Sequence, residues 1–442
     1  MEKGAFIIGM NETGEKVSAS GARISTTGGN AVSILEKAKD VQKNRNLIAR
    51  VLKSGHASIS EHTVFNLAFC DVSVLVEQFM IEFRLASFTV KSRRYVDFGQ
   101  SGFYTPPTLP EPLKETYTAH MESLFSAYND MVERGIPKED ARFVLPYCFY
   151  SNFYVTLNAR ELKHILAKML FGHGAVFAEI RNLGQMLLEQ ALEMSPCFFE
   201  SLKESKQIQK HYAVESSNKR ENIEILHSPK DAERILAIAH LTAKGESPDV
   251  DKLTKQDEQQ IIADIFKSDR PRELEQLYYT IRFNNLSLSG ITHLVRHRMQ
   301  SIIVPSLLSV NNAKYIIPKT IEENAKCLET YQSAFRDTIE LRALCKQEGA
   351  TDSDLVYFAL SGNTLDVMTT MNVRELLFFF QLRTCNRAQW EIREYAIDLL
   401  ETLRESSGRI FSFIGPSCFV RGMCPEGKMS CGKMEQIVER FG

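Results

Sequence analysis

Two stretches of the chain, Thr63-Val-Phe-Asn-Leu-Ala-Phe69 and Leu277-Tyr-Tyr-Thr-Ile-Arg-Phe283, are rich in β-branched and aromatic residues and predict strands. Each runs on to a serine, Ser73 or Ser287, placed to cap the short apolar helix that follows. Farther along, Asn158 and Asn372 each have a glutamate three positions on, the spacing of a capping box, and predict the starts of long helices. Arg383, Arg387 and Glu391 recur at i, i+4 and i+8, the pattern of a solvated, ion-paired helix face. Strands and helices thus mix within each half of the chain, and the expected class is α/β or α+β.

The two halves repeat one another. Glu61 and Glu275 stand 214 positions apart (275 − 61), and Ser73/Ser287, Arg84/Arg298, Ser87/Ser301 and Ser92/Ser306 keep that offset. Asn158-Ala-Arg-Glu-Leu162 matches Asn372-Val-Arg-Glu-Leu376 in the same register, and Glu179-Ile-Arg181 matches Glu391-Ile-Arg393 after a shift of two. The expected organisation is a first repeat over 1–205, a polar linker over 206–221, a second repeat over 222–415 and a Cys-rich, irregular tail over 416–442. The charged stretch from Lys244 to Gln260 reads as a solvated surface segment.

Composition narrows the function. With 53 Lys and Arg against 55 Asp and Glu, the net charge of −2 disfavours a dedicated nucleic-acid binder, and an anion must be gripped by local arginine clusters. No apolar run approaches the roughly 18 residues a membrane helix needs, no signal peptide is evident, and nine widely spaced cysteines do not form a disulfide framework, so the expected location is the cytoplasm.

The densest candidate is Arg296-His297-Arg298, whose guanidinium forks suit phosphate or diphosphate oxygens; the plainer reading is a cationic helix end. The first repeat has Glu82-Phe83-Arg84 there, yet carries the basic Ser92-Arg93-Arg94-Tyr95 where the second has Ser306-Leu-Leu-Ser309, so each repeat keeps cations that the other has lost. Arg160 and Arg374 sit in the first turn of a helix, where a cation opposes the dipole unless an anion or a neighbouring Glu answers it. Trp390, the single tryptophan, reads as a core or interface anchor. Cys418, Cys424 and Cys431 form C-x5-C-x6-C, one ligand short of a structural zinc site, and no metal is expected. His56 and His62 flank Glu61 without forming a metal triad. There is no P-loop, no G-x-G-x-x-G and no nucleophile that can be singled out.

Together these residues resemble the flavin-dependent thymidylate synthases, whose signature runs R-H-R-x-x-S-x-N-x-x-S-x-R-Y. The chain matches it through Arg296, His297, Arg298, Ser301 and Ser306 in one repeat, and Arg84, Ser87, Ser92, Arg94 and Tyr95 in the other. Ser60-Glu-His62, Glu139-Asp-Ala-Arg142 with Leu145-Pro146, and Leu382-Arg383 followed by Ala388-Gln-Trp-Glu-Ile392 are similar to further family segments. The resemblance implies two tandem copies of that fold, each a mixed sheet flanked by long helices, where the usual member is one domain in a homotetramer. It implies flavin contacts at Arg296, His297, Arg298, Asn158, Arg160, Asn372 and Arg374, and a uracil contact and catalytic role for Arg383. Substrate binding falls to Ser92, Arg94 and Arg142 at the phosphate, with His293 and Arg296 also contributing.

The second repeat has Leu308 and Val356 in place of Arg94 and Arg142, and the first has Met169 in place of Arg383, so the resemblance implies composite sites built from both repeats. Departures from the family pattern are Thr89 and Val90 at its Asn and Glu, Ile303 and Val304 in the other copy, His293 at a Gln, and His164 or Phe378 at an Asn. The implied chemistry is reductive methylation of dUMP to dTMP, with FAD as cofactor and methylenetetrahydrofolate and NADPH as co-substrates. The implied assembly is a homodimer forming a pseudo-tetramer, with no nucleic-acid or membrane partner. The competing expectation is a non-catalytic or regulatory paralogue that binds nucleotide or flavin.

Overall fold

The fold is that of a computed structural model, described over residues 3–204, 221–246 and 252–442. Apart from Glu221, the expected linker over 206–221 lies outside the described residues. The described strands make two four-stranded sheets. The first orders β1 (Gly4–Met10), β2 (Val64–Ser73), β3 (Ser87–Val90) and β4 (Tyr150–Asn158) as β1-β2-β4-β3. The second orders β5 (Ile223–His227), β6 (Tyr278–Ser287), β7 (Gln300–Ile303) and β8 (Thr364–Asn372) as β5-β6-β8-β7. Every pairing within them is antiparallel, which corrects the expectation of mixed sheets and makes the class α+β. The reason lies in the strand order: β2 and β3 run in the same direction but β4 lies between them, as β8 lies between β6 and β7, so no two parallel strands are neighbours.

Register repeats as closely as sequence. The ladder between β2 and β4 breaks between Phe69 and Val72, and that between β6 and β8 between Phe283 and Leu286. Each break holds a residue at positive φ, Asp71 (48°) and Asn285 (56°), residue types whose short polar side chains tolerate the left-handed region. Asp71 N–H donates to Asn152 Oδ1 at 3.1 Å, and Asn285 N–H to Asp366 Oδ1 at 2.9 Å. The acid and amide have traded places between the repeats.

The chain divides into two compact units that cut across the repeat boundary. Unit 1 is Met1–Val214 with Leu307–Ala313 and Ile317–Ser361; unit 2 is Glu215–Ser306 with Lys314–Ile316 and Gly362–Gly442. Segment 317–361, expected in the second domain, lies in unit 1 because its helix Ala325–Gln347 packs on the helix Glu111–Glu133. The buried faces are Tyr117, Met121 and Leu124 on one and Tyr331, Phe335 and Thr338 on the other, with Thr338 Oγ1 2.9 Å from His120 Nε2.

The helix starts form largely as the pattern predicts. Ser73 and Ser287 cap Val74–Ile81 and Leu288–Leu294, and Asn158 and Asn372 cap Ala159–Leu170 and Val373–Arg383. The expected reciprocal half of the two Asn capping boxes is not made, because Glu161 and Glu375 turn to histidines instead. Three other expectations are corrected. The helix stops at Arg383 and a new one begins at Trp390, so Arg383, Arg387 and Glu391 share no face, and Glu391 is buried. The tail is not irregular: it forms Ser417–Arg421 and Met434–Phe441, the latter burying Ile437 and Phe441. Within 244–260, a helix with a true capping box at Thr254 starts at Lys255 and buries Glu258.

Candidate active site

In unit 2 the cap residue Ser287 starts the site. Its N–H donates to Glu391 Oε1 at 2.7 Å, its hydroxyl donates to the other carboxylate oxygen, and Gly290 N–H donates to Ser287 Oγ at 2.9 Å. Gly290 is required by this closeness: a Cβ there would lie 2.8 Å from Glu391 Oε2 and 2.7 Å from Leu286 Cδ1. The helix so anchored carries His293 in its last turn and delivers Arg296-His297-Arg298 just past its end, with His297 buried and both arginines exposed.

His297 sits in a relay. Its Nδ1 lies 3.0 Å from Glu375 Oε1, and Arg383 Nε donates to its Nε2 at 3.0 Å, while Arg383 Nη2 donates to the His293 carbonyl at 3.1 Å. Since Nε2 accepts from Arg383, the proton belongs on Nδ1, donated to the carboxylate. Burial holds the His297 pKa below its ordinary value, the Glu375 hydrogen bond pulls it up, and the Arg383 charge lowers it further. The ring is neutral near pH 7. The relay therefore fixes the half-buried Arg383 guanidinium by two of its donor nitrogens.

The equivalent positions of unit 1 hold Phe79, Phe83 and Met169 in place of His293, His297 and Arg383. These three are buried, and the two phenylalanines meet edge to face at 5.2 Å. Glu161, the counterpart of Glu375, faces His164 Nδ1 at 3.6 Å. Where unit 2 has a polar relay, unit 1 has core. Glu82, opposite Arg296 in the repeat, is half-buried, and burial pushes its carboxyl up to about 7 despite a hydrogen bond from Gln78 that lowers it.

Unit 1 instead assembles cations. Glu139 Oε2 accepts from Arg94 Nε at 2.6 Å, its backbone carbonyl accepts from Arg142 Nε at 3.0 Å, and Arg94 N–H donates to Ser92 Oγ at 3.4 Å. Ser92, Arg94 and Arg142 are thus brought together around Glu139, a bridge that no local sequence pattern marks. Arg93 is different: it is buried on Glu77 of the helix Val74–Ile81 at 2.6 Å, and Ser151 Oγ of β4 donates to that carboxylate at 2.5 Å, a buried structural pair.

The helix-start residues are committed to structure. Asn158 and Asn372 oxygens accept from the N–H of Glu161 (3.0 Å) and Glu375 (2.8 Å). Arg160 pairs with Glu61 at 2.5 Å and Arg374 with Glu275, the very glutamates that first mark the repeat, rather than with the Glu beside them. The sequence marks Glu375 only as a capping residue, three positions after Asn372; that it holds His297 depends on a partner 78 positions away.

A family described as thymidylate synthase complementing protein matches residues 7–197 and again 224–407. The chain belongs to this family. It is a tandem member, each copy on its own sheet, of a family of methyltransferase enzymes. Its flavin-dependent thymidylate synthase relatives include one from Geobacter sulfurreducens, 29% identical over 195 residues that cover 43% of this chain and 84% of the relative. Another, from Sulfurisphaera tokodaii, is 31% identical over 206 residues, covering 45% of this chain and 79% of the relative. Among solved structures, a UMP/dUMP methylase PolB from Streptomyces cacaoi bound with 5-Br dUMP aligns over 45% of this chain and 94% of its own, at 24% identity and a TM-score of 0.39.

Proposed function

We propose that the chain is an active flavin-dependent thymidylate synthase that converts dUMP to dTMP in the cytoplasm, with methylenetetrahydrofolate as carbon donor and NADPH as reductant. One kind of composite site draws on both repeats, and two chains form a pseudo-tetramer. The observation that carries this reading is the Glu375–His297–Arg383 relay, which unit 1 has replaced with Phe83 and Met169 while keeping Arg94 and Arg142. A buried neutral histidine spent on aiming one arginine is costly unless that arginine acts on something.

The residues present suit FAD. Exposed Arg296 and Arg298 flank the buried ring of His297, and two guanidinium forks at one surface match the oxygens of a diphosphate. When bound, the flavin supplies the hydride. Arg383, held through Nε and Nη2, places a fixed cation where the pyrimidine N3 loses its proton, so charge develops against a preorganised partner. Arg94 and Arg142 clamp the nucleotide phosphate, whose binding energy orients the ring.

The test is dTMP formation by the purified protein and two single variants. Arg383→Ala and Arg94→Ala, in different units, are each expected to lower kcat/KM by about 100-fold or more. Near-full activity in either overturns the composite site. A chain that takes up no FAD and makes no dTMP supports the non-catalytic paralogue instead.

A further inference from the structure

The C-terminal segment closes a charged cleft in unit 2. The cleft has a volume of about 680 Å³, and its lining comes from the turn after Arg383, the helix Trp390–Ser406 and the tail. Arg387, Arg393, Lys433 and Arg440 line it against two carboxylates, Glu394 and Asp398. Four cations to two anions leave a surplus of two positive charges at neutral pH.

The cations are held in place from behind. Arg387 Nε and Nη2 donate to the carbonyls of Met429 at 2.8 Å and Ser430 at 3.2 Å, which staples the tail to the turn. Arg393 Nη1 donates to the Asn386 carbonyl at 3.2 Å, and Arg440 Nη2 reaches Glu401, outside the lining, at 3.4 Å. The Arg440 guanidinium also lies 5.5 Å from the ring centre of the buried Phe441. Among the described residues, Arg393 and Arg440 each spend one nitrogen in this way, and exposed Lys433 has no ion-pair partner.

Unit 1 shows which part of this is ordinary. Its Arg181, the counterpart of Arg393, makes the same bond from Nη1 to the Ala175 carbonyl at 3.4 Å, so that contact belongs to the repeated fold. Lys433 and Arg440 do not: they lie beyond residue 407, where the family match ends. The cleft is a product of the tail, and it shares no residue with the Glu375–His297–Arg383 relay.

Like charges gathered from three elements repel one another, and a multivalent anion relieves that cost. Guanidinium forks match phosphate oxygens in pairs, and an ammonium adds a point charge beside them. A lone phosphate would leave most of the cleft empty, whose volume falls in the range of nucleotide-sized ligands. A linear chain of phosphates reaches cations on opposite walls and outweighs the two carboxylates. We propose that this cleft binds a polyphosphate chain, free or carried by a nucleoside, through Arg387, Arg393, Lys433 and Arg440.

Tripolyphosphate and ATP are to be titrated separately into the full-length protein by calorimetry at low salt, with citrate as the carboxylate control. Excess dUMP is present throughout, so that phosphate contacts at Arg94 and Arg142 do not add a second isotherm. One saturable site per chain is expected, weakened by salt, with citrate bound at least about 10-fold less tightly. Tighter binding of ATP would identify a nucleotide as the carrier, and equal binding would show that the chain alone is recognised; both support the site. Lys433→Glu and Arg393→Ala should each weaken binding by about 10-fold or more, whereas Arg94→Ala and Arg296→Ala should leave it within about 2-fold. Lys433 is exposed, so its variant tests the cleft without touching the core. No saturable binding, citrate bound as well as tripolyphosphate, unchanged binding in Lys433→Glu, or binding lost in Arg94→Ala or Arg296→Ala overturns the proposal.

Discussion

At His297 the two ring nitrogens do opposite things, one donating to a carboxylate and the other accepting from a guanidinium, and only the neutral ring can do both. Because the folded pKa lies below the usual 6.5, stability from this group is fully present above pH 6.5 and is lost as pH falls beneath it. Glu82 has the opposite sign. Its folded carboxyl titrates at about 7 against an ordinary 4.5, so the folded state holds the extra proton and stability falls as pH climbs from 4.5 to 7. Glu82→Gln keeps an oxygen for Gln78 and removes the titration; its gain in melting temperature should be larger at pH 8 than at pH 5, and equal gains would refute this account. The contrast between units yields a second test. His297→Phe leaves Glu375 buried without its donor and should cost about 1–3 kcal/mol. Adding Phe378→His, which copies the pairing of Glu161 with His164, should restore most of that stability in denaturant melts while dTMP formation stays lost.

At the scale of elements, local pattern was enough where local interactions decide. Ser73 and Ser287 cap their helices because a serine oxygen answers the orphan N–H of the first turn, and the strands before them follow from β-branched and aromatic runs. What the sequence hid is the helix break after Arg383: Thr384 to Gln389 contains no proline or glycine to announce it. Periodicity therefore put Glu391 on a solvated face, whereas it reaches back across the chain to Ser287. The same blindness applies to Glu375, where the long-range partner outweighs the local cap. Ser287→Ala removes a cap and strips a donor from a buried carboxylate, so it should cost about 1–3 kcal/mol, read as a lower denaturant midpoint at unchanged slope. Ser287→Thr should recover most of it. Gly290→Ala gains helix propensity but meets Glu391, and should destabilise on balance.

For the whole molecule, the repeat was legible as a fixed offset, but the way the chain is shared between two compact units was not, since a helix pattern says nothing of which partner buries it. The tail was misread for a related reason. Its glycines and cysteines suggest a loop, yet Arg404 donates to the carbonyls of Phe411 (3.1 Å), Ile414 (2.9 Å) and Phe441 (2.8 Å), and Ile437 and Phe441 are buried. Ending the chain after Gly415 should lower the melting temperature of unit 2 by several degrees, as expected for losing the buried Cys418, Ile437 and Phe441 side chains; an unchanged melt would show that the tail does not belong to the core. The exchanged pair at the strand bends bears on how such a chain survives as a gene. Recombination between the two copies that joined the segment bearing Asp71 to that bearing Asp366 would set carboxylate against carboxylate at the bend, and the reciprocal product would set Asn285 against Asn152. One crossover product thus inherits charge repulsion at a residue already held at positive φ, a physical penalty on collapsing the tandem back to a single copy.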